Sequence, residues 1–240
     1  MRRLLVFLAA GSLVLTGVTA APALAAGGPS GDTPGVVSDL LTPEEEAAVH
    51  AEVEPVRQVD MYYNGQKVDP AAPWNGAAVC AEVSEDGTMQ CFDSGIQANR
   101  YLAEHAPSVK SRAGAAQAVR QETAGGASGA EYTPQRASDC PAWWVCLWQH
   151  SNYGGRMLKW PWYPASKTRH LDSYRPSFRD EASSVYVNRP QRGVEAYDFR
   201  SFMPDPRMFF GAGYGMYPNL KNEDYPTGGN WNDKIDAIKF

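Results

Sequence analysis

The chain has 240 residues with 22 basic and 27 acidic side chains, is 43% hydrophobic and 20% charged, and has a formal net charge of −5. This balance is typical of one or two soluble globular domains and excludes a disordered or fibrous protein. No basic run is long enough to neutralise many phosphates, so the composition argues against nucleic-acid binding and against a polybasic membrane anchor.

The first 25 residues have the organisation of a secretory signal peptide. Arg2 and Arg3 precede an apolar run over 4–18, and Ala23-Leu24-Ala25 has the small-x-small pattern after which signal peptidase cleaves. A transmembrane helix is the alternative, but glycines interrupt the run and no charged stop-transfer segment follows it. We therefore predict a mature chain from about residue 26 that is secreted, has no membrane association after cleavage and is a monomer.

Aromatic residues and charge are unevenly distributed along the rest of the chain. Residues 139–240 hold 20 of the 27 aromatic side chains and carry 13 basic against 11 acidic residues, a net charge of +2. Residues 26–138 carry 7 basic against 16 acidic residues, a net charge of −9. This difference predicts two structural units with separate cores.

Residues 26–106 are predicted to form a small acidic α+β domain. The sequence Thr42-Pro43-Glu44-Glu45 has the residues of a capping box and predicts the start of a helix. Two hairpins follow, one around Asn64-Gly65 and one around Glu85-Asp86-Gly87, and Ser94 begins a second helix. No catalytic constellation is recognised in this segment.

Residues 107–138 lose hydrophobic periodicity and become rich in Ala, Gly, Ser and Gln. This composition is typical of a flexible linker, and the domain that follows it is predicted to span residues 139–240.

Four cysteines remain after signal cleavage, an even number in an oxidising compartment. They allow three pairings, but only Cys80 with Cys91 and Cys140 with Cys146 keeps each bridge inside its own compositional half. A zinc site is the alternative, although no C-x-x-C motif occurs and the histidines are scattered. The sequence therefore predicts two structural disulfides.

The segment from 139 to 240 contains two copies of a unit of about 50 residues. Residues 180–187 align without gaps with residues 233–240, and an aromatic-x4-aromatic frame occurs twice at a separation of 49 residues. Short alternating strands between Gly, Pro, Asn and Asp indicate an antiparallel sandwich. The frame residues are Trp148 and Tyr153 in the first copy and Tyr197 and Phe202 in the second.

The order of these motifs resembles the Greek-key motif of βγ-crystallins. Trp148 and Tyr153 are followed by Gly155 and by Asp-x-x-Ser-Ser at 180–184. The resemblance implies a hairpin that folds over the sheet, with Gly155 in a conformation that a Cβ would strain and Ser183 closing the hairpin from the far loop. The second copy has Pro204 in place of this glycine.

Together with the signal peptide, the opening Cys-Pro-x4-Cys of residues 140–146 resembles the secreted actinobacterial metalloproteinase-inhibitor family. This resemblance implies an all-β C-terminal domain, a double Greek-key sandwich of βγ-crystallin type, preceded by the small α+β domain. It also implies that the chain is not an enzyme and that its partner is an extracellular protease. Characterised inhibitors of the family close their reactive loop with a second disulfide, but no cysteine follows Cys146, and the sequence identifies no reactive-site residue.

A calcium-binding or purely structural extracellular module is the alternative function. The two closing loops offer the hard oxygen ligands that calcium prefers, although Arg179 places a cation in the first loop. These side chains can instead cap their loops by local hydrogen bonds. No cofactor is required in either case, and the candidate calcium ligands are Asp180, Ser183, Asn232, Asp233 and Asp236.

A third possible function is binding of cell-wall carbohydrate. Four tryptophans could form a sugar-stacking surface, but in an aromatic-rich sandwich such residues usually belong to the core. They are Trp143, Trp144, Trp160 and Trp162.

Overall fold

The computed structural model describes residues 37–69, 74–124 and 136–240. The predicted signal peptide and the central part of the predicted linker lie outside these residues. The helices are α1 (Pro43–Val53), α2 (Gly95–His105) and α3 (Val109–Ala124). The strands are β1 (Val37–Leu40), β2 (Met61–Tyr63), β3 (Gln66–Lys67), β4 (Val79–Glu82), β5 (Met89–Phe92), β6 (Trp144–His150), β7 (Gly154–Pro161), β8 (Thr168–His170), β9 (Ser184–Asn188), β10 (Val194–Tyr197), β11 (Pro206–Phe210), β12 (Gly215–Tyr217) and β13 (Ala237–Lys239).

The strands form two sheets whose order shows a double Greek key. The five-stranded sheet has the order β1-β11-β10-β13-β8, and the eight-stranded sheet has the order β12-β9-β6-β7-β4-β5-β2-β3. Strands β6–β9 and β10–β13 are the two repeat copies, and each copy gives its third strand to the sheet of the other: β8 pairs with β13 and β12 pairs with β9. The predicted all-β C-terminal fold is confirmed.

The aromatic excess fills the space between the two sheets. Trp160 and Trp231 have no solvent-exposed surface and belong to one apolar cluster with Phe178 and Phe210. The sandwich therefore has the packed aromatic core that the sequence predicts.

The N-terminal segment, residues 37–69 and 74–124, extends both sheets. The predicted separation into two structural units is therefore wrong. Strand β4 pairs in parallel with β7, and β1 pairs antiparallel with β11. Met61 and Trp74 are buried in the same cluster as Trp160, and residues 37–240 fall within one compact unit. The physical reason is that the edge strands of the double Greek key need partners, and the N-terminal strands supply them.

Helices cover the outer faces of the two sheets. Helix α1 packs Val49 against Tyr197 and Ala237 of the five-stranded sheet. Helices α2 and α3 cover the eight-stranded sheet, where the Trp144 indole N–H donates to the carbonyl of Ser111 in α3 at 3.1 Å. The prediction of a flexible linker over 107–138 is therefore wrong for α3, while residues 125–135 are not described.

Local signals in the N-terminal segment are confirmed. Thr42 and Glu45 form a reciprocal capping box at the start of α1. Asn64 and Gly65 both have positive φ, at 50° and 75°, as the turn between β2 and β3 requires. Both disulfides form as predicted, Cys80 with Cys91 and Cys140 with Cys146. None of the helices in the described ranges has the length and hydropathy needed to cross a bilayer.

Charge complementarity explains why the acidic and basic halves belong together. Three basic residues of the double Greek key pair with carboxylates of the N-terminal segment, at 2.7 to 2.9 Å. The charge asymmetry of the sequence thus marks an internal interface rather than a domain boundary. The pairs are Arg169 with Glu82, Arg207 with Asp39, and Lys239 with Glu52.

Candidate functional site

The two closing loops of the repeat lie side by side with approximate twofold symmetry. Asp180 N–H donates to the carbonyl of Ile235 at 3.1 Å, and the equivalent Asp233 N–H donates to the carbonyl of Ala182 at 3.0 Å. Both aspartates have left-handed backbone, with φ of 56° and 55°. The internal repeat read from the sequence is therefore present in the backbone geometry.

Four of the five predicted calcium ligands line one open groove of about 370 Å³, together with His150 and Lys221. Ser183 Oγ donates to Asp233 Oδ1 at 2.9 Å, and the amide of Asn232 donates to Asp233 Oδ2 at 2.6 Å. The Asp233 carboxylate is thus the centre of this side-chain cluster. The four ligands are Asp180, Ser183, Asn232 and Asp233.

Asp236, the fifth predicted ligand, lies outside the groove. Its carboxylate is buried, contacts Arg179 Nε at 2.7 Å and accepts the Phe199 N–H at 2.7 Å. Burial raises the pKa of Asp236 to about 8, although the Phe199 N–H and Arg179 act in the opposite direction. The Arg179 guanidinium therefore takes the position beside Asp236 that a bound cation would need.

The first Greek-key copy closes through Ser184. The rings of Trp148 and Tyr153 pack edge to face, with centroids 5.0 Å apart, and Gly155 has φ of 74°. Ser184 Oγ accepts the Tyr153 N–H at 3.1 Å and donates to the carbonyl of His150 at 2.8 Å. The assignment of this role to Ser183 is wrong, because the Ser183 side chain points into the groove toward Asp233.

The second copy does not form the aromatic pair predicted for Tyr197 and Phe202. Tyr197 is buried and stacks on Phe199 instead, with centroids 6.3 Å apart, while Phe202 is fully exposed and has φ of 64°. Pro204 and Ala237 replace the glycine and the hydroxyl that close the first copy. Without these two residues, the chain between β10 and β11 projects into solvent as a loop over 200–205.

Hydrogen bonds hold the 200–205 loop across its base. Arg200 N–H donates to Asp205 Oδ1 at 2.6 Å, and the Arg200 side chain donates through Nε to the carbonyl of Pro204 at 3.1 Å. Phe202 and the half-exposed Met203 lie at the tip, between these fixed ends. The result is a convex loop that presents two large apolar side chains on an ordered backbone.

The N-terminal segment supports the same loop from below. Leu41 N–H donates to the carbonyl of Asp205 at 2.8 Å, and His50 Nε2 lies 2.8 Å from Asp205 Oδ2. Burial lowers the pKa of His50, but its hydrogen bonds to Asp205 and Glu54 outweigh this effect and the net shift is upward. Sequence reasoning missed these residues because Pro204 indicates only a lost motif, and nothing local connects α1 with this loop.

The tryptophans proposed for carbohydrate binding do not form an open platform. Trp144 and Trp160 are fully buried. Trp143 and Trp162 are partly exposed, but Lys110 Nζ lies 4.4 and 4.1 Å from their ring centroids. The lysine occupies the space in which a sugar ring would stack.

Comparisons with known proteins give one family match and one solved structure. Residues 133–203 match the family model described as peptidase inhibitor family I36. A solved structure of a βγ-crystallin from Ciona intestinalis is 22% identical, and the match covers 40% of this chain and 95% of that chain with a TM-score of 0.27. No curated protein sequence matches the chain. The family match confirms the resemblance to the inhibitor family and supports the prediction that the chain is not an enzyme.

Proposed function

Because residues 133–203 match a family of peptidase inhibitors, we propose that this chain is secreted and that it binds and inhibits an extracellular metalloprotease through the 200–205 loop. One observation carries this proposal: Phe202 is fully exposed at the tip of a loop whose two ends are hydrogen-bonded to each other. A large apolar side chain on an ordered convex loop suits the concave, apolar pocket of a protease cleft.

The hydrogen bonds of Arg200 across the base of the 200–205 loop take the role of the disulfide that closes the reactive loop of characterised inhibitors. Ordering a residue of backbone costs roughly 1–2 kcal/mol, so a flexible loop would lose most of its binding energy on entering a cleft. The bonds from Arg200 to Pro204 and Asp205 remove part of this cost before binding. They also hold the two sides of the loop together if the protease attacks a bond at its tip, which slows the release of the cleaved segment.

Replacing Phe202 with alanine is expected to weaken inhibition by about 30-fold, equivalent to about 2 kcal/mol for a central apolar contact. The measurement is a titration of purified chain against a thermolysin-like metalloprotease, with the inhibition constant as the readout. The Phe202 side chain is fully exposed in the folded protein, so its replacement should not change the melting temperature.

Tyr214→Ala is the matched control, since Tyr214 is another exposed aromatic residue with positive φ. This variant should inhibit as well as the natural chain. If wild type fails to inhibit at stoichiometric excess, or if Phe202→Ala and Tyr214→Ala inhibit equally, the proposed role of the loop is wrong.

Calcium binding in the groove around Asp233 is a second candidate function. Asp180, Ser183 and Asn232 place further oxygen atoms around this carboxylate, in the donor set that calcium prefers. Lys221 on the groove wall opposes a cation, which favours weak binding at millimolar calcium. The pairing of the buried Asp236 with the partly exposed Arg179 leaves this groove as the better of the two loop sites.

Calcium at ten times its dissociation constant is expected to raise the free energy of unfolding by about 1.4 kcal/mol. Asp233→Asn should remove this gain, because it removes the negative charge of the central carboxylate and puts an amide NH2 where an oxygen accepts from Asn232. Asp224→Asn, an equal change of charge on an exposed residue outside the groove, should retain it. A melting temperature that does not respond to calcium or to chelator excludes this function.

A further inference from the structure

Three potential metal ligands converge beneath the 200–205 loop. Glu46 and His50 lie one turn apart on the same face of α1, and Asp205 lies at the base of the loop. One ligand atom from each residue lies within 4.8 Å of the other two. Helix α1 thus supplies two metal ligands at positions i and i+4, and the 200–205 loop, distant in the sequence, supplies the third.

The Asp205 carboxylate needs a positive charge that the surrounding residues supply only in part. Its side chain is fully buried, and the ion pair recorded for it within the described residues is with His50 alone. His50 also faces Glu54, and Glu46 lies beside the Asp205 backbone N–H at 3.4 Å. Three carboxylates therefore surround one imidazole, and a buried carboxylate without a full counter-charge is costly.

An ion would replace the proton that joins His50 Nε2 to Asp205 Oδ2, since the other hydrogen bonds of both residues use different atoms. His50 Nδ1 lies 3.2 Å from Glu54 Oε1, so the imidazole can keep donating to Glu54 through Nδ1 when an ion takes the place of the Nε2 proton. Asp205 Oδ1 accepts the Arg200 N–H at 2.6 Å, which leaves Oδ2 toward His50. Carboxylates that hold the second ring nitrogen in this way orient histidine ligands in metal sites.

We propose that Glu46, His50 and Asp205 bind a divalent transition-metal ion, with zinc as the best match to the donor set. One imidazole nitrogen and two carboxylates suit tetrahedral zinc with water as the fourth ligand, whereas calcium takes oxygen donors. Ligand atoms on tetrahedral zinc are about 3.3 Å apart, so His50 Nε2 and Asp205 Oδ2 must separate by only about 0.5 Å from their contact at 2.8 Å. Rotation of the partly exposed Glu46 side chain completes the site.

A bound ion would fix the base of the 200–205 loop to α1. It would hold Asp205 Oδ2 while Oδ1 keeps its bond to Arg200, so the loop and the N-terminal segment would become one rigid element. Metal binding can be measured without a protease, and its outcome is therefore independent of whether the loop inhibits one.

The test uses the full chain without a polyhistidine tag, titrated with cobalt(II) as a spectroscopic substitute for zinc and then with zinc itself. We expect saturable visible absorption bands at one equivalent of cobalt, which zinc removes by competition and an excess of calcium does not. Glu46→Gln and His50→Ala should each weaken the binding of cobalt by more than about tenfold. The control His105→Ala, at an exposed histidine near the end of α2, should bind cobalt as the natural chain does.

Glu46→Gln also decides the result if His50→Ala unfolds, because a glutamine can still accept the Asp205 N–H. The absence of saturable cobalt absorption, or equal cobalt binding by Glu46→Gln and the natural chain, would overturn the proposal. Loss of binding in His105→Ala together with retention in His50→Ala would assign the ion to a different site and would also overturn it.

Discussion

Replacing Arg169 with alanine is expected to lower the free energy of unfolding by about 3–5 kcal/mol, the usual cost of leaving a buried charge without its partner. Arg169 on β8 donates through Nε to Glu82 Oε2 at 2.7 Å and through Nη2 to Glu82 Oε1 at 3.0 Å. Tyr163 also donates to this carboxylate at 2.9 Å, and Glu82 on β4 has no exposed surface. Urea denaturation measures the loss.

The cost of Arg169→Ala should depend on pH. Burial already raises the pKa of Glu82, against the influence of Arg169, and removal of the arginine raises it further. A carboxyl whose pKa is raised in the folded state contributes stability below its unfolded pKa and loses it as pH increases. The destabilisation should therefore be smaller near pH 4 than near pH 8.

Lys167→Ala is the control for this interface. Lys167 pairs with the mostly exposed Glu85 at 3.2 Å, and such pairs contribute less than about 1 kcal/mol. If Arg169→Ala costs no more than Lys167→Ala, the N-terminal segment does not share its stability with the double Greek key.

Replacing Gly114 with alanine is expected to destabilise the protein by about 2 kcal/mol or more, although alanine is the better helix former by about 1 kcal/mol. A Cβ at Gly114 would overlap the carbonyl oxygen of Ala142 and lie 2.8 Å from its carbonyl carbon. Both are backbone atoms in the segment that leads into β6, so they cannot rotate away. Thermal unfolding and hydrogen exchange of α3 measure the effect.

Whether Gly114→Ala destabilises or stabilises the protein distinguishes a packed helix from a linker. In an exposed or flexible segment, Gly114→Ala would be neutral or stabilising. Ala113→Gly, at the exposed neighbouring position, measures helix propensity alone and should cost about 1 kcal/mol. An increase in melting temperature on Gly114→Ala would contradict the packing of α3 against β6.

Local sequence signals predict the elements of this protein well, because the interactions that define them lie within a few residues. Thr42 and Glu45 bond to each other across one helical turn, and Asn64-Gly65 supplies the positive φ of a hairpin. Cys80 and Cys91 lie opposite each other on β4 and β5, and the second disulfide joins Cys140 to Cys146 in β6. None of these features depends on the rest of the fold.

The arrangement of these elements was not predictable in the same way. All residues of β4 are buried, whereas a hairpin in a small separate domain would not need such complete burial. No local signal, however, identifies β7 as the parallel partner of β4. Charge composition was misleading because carboxylates such as Glu82 and Asp39 pair with cations that lie 87 and 168 residues away in the sequence. The Ala- and Gln-rich α3 lacks apolar periodicity, since small residues suffice where it packs closely on β6.

The candidate sites also differ in how far the sequence predicts them. The closing loops around Asp180 and Asp233 follow from a motif in the sequence, and the structure brings them together. The 200–205 loop depends on Pro204 and on contacts with α1, and only the three-dimensional arrangement shows that losing one hairpin produces an ordered, exposed Phe202.

The pairing of β1 with β11 has a consequence for the order in which the molecule can fold. Val37 on β1 lies opposite Phe209 on β11. The first described strand to be synthesised can therefore pair only after one of the last strands has been made. Contacts between such distant positions form slowly, because a long loop must close before any energy is gained. A nascent or truncated chain that stops before β11 should therefore hold β1 and α1 without their sheet, and the N-terminal segment should gain protection from proteolysis only once synthesis is nearly complete.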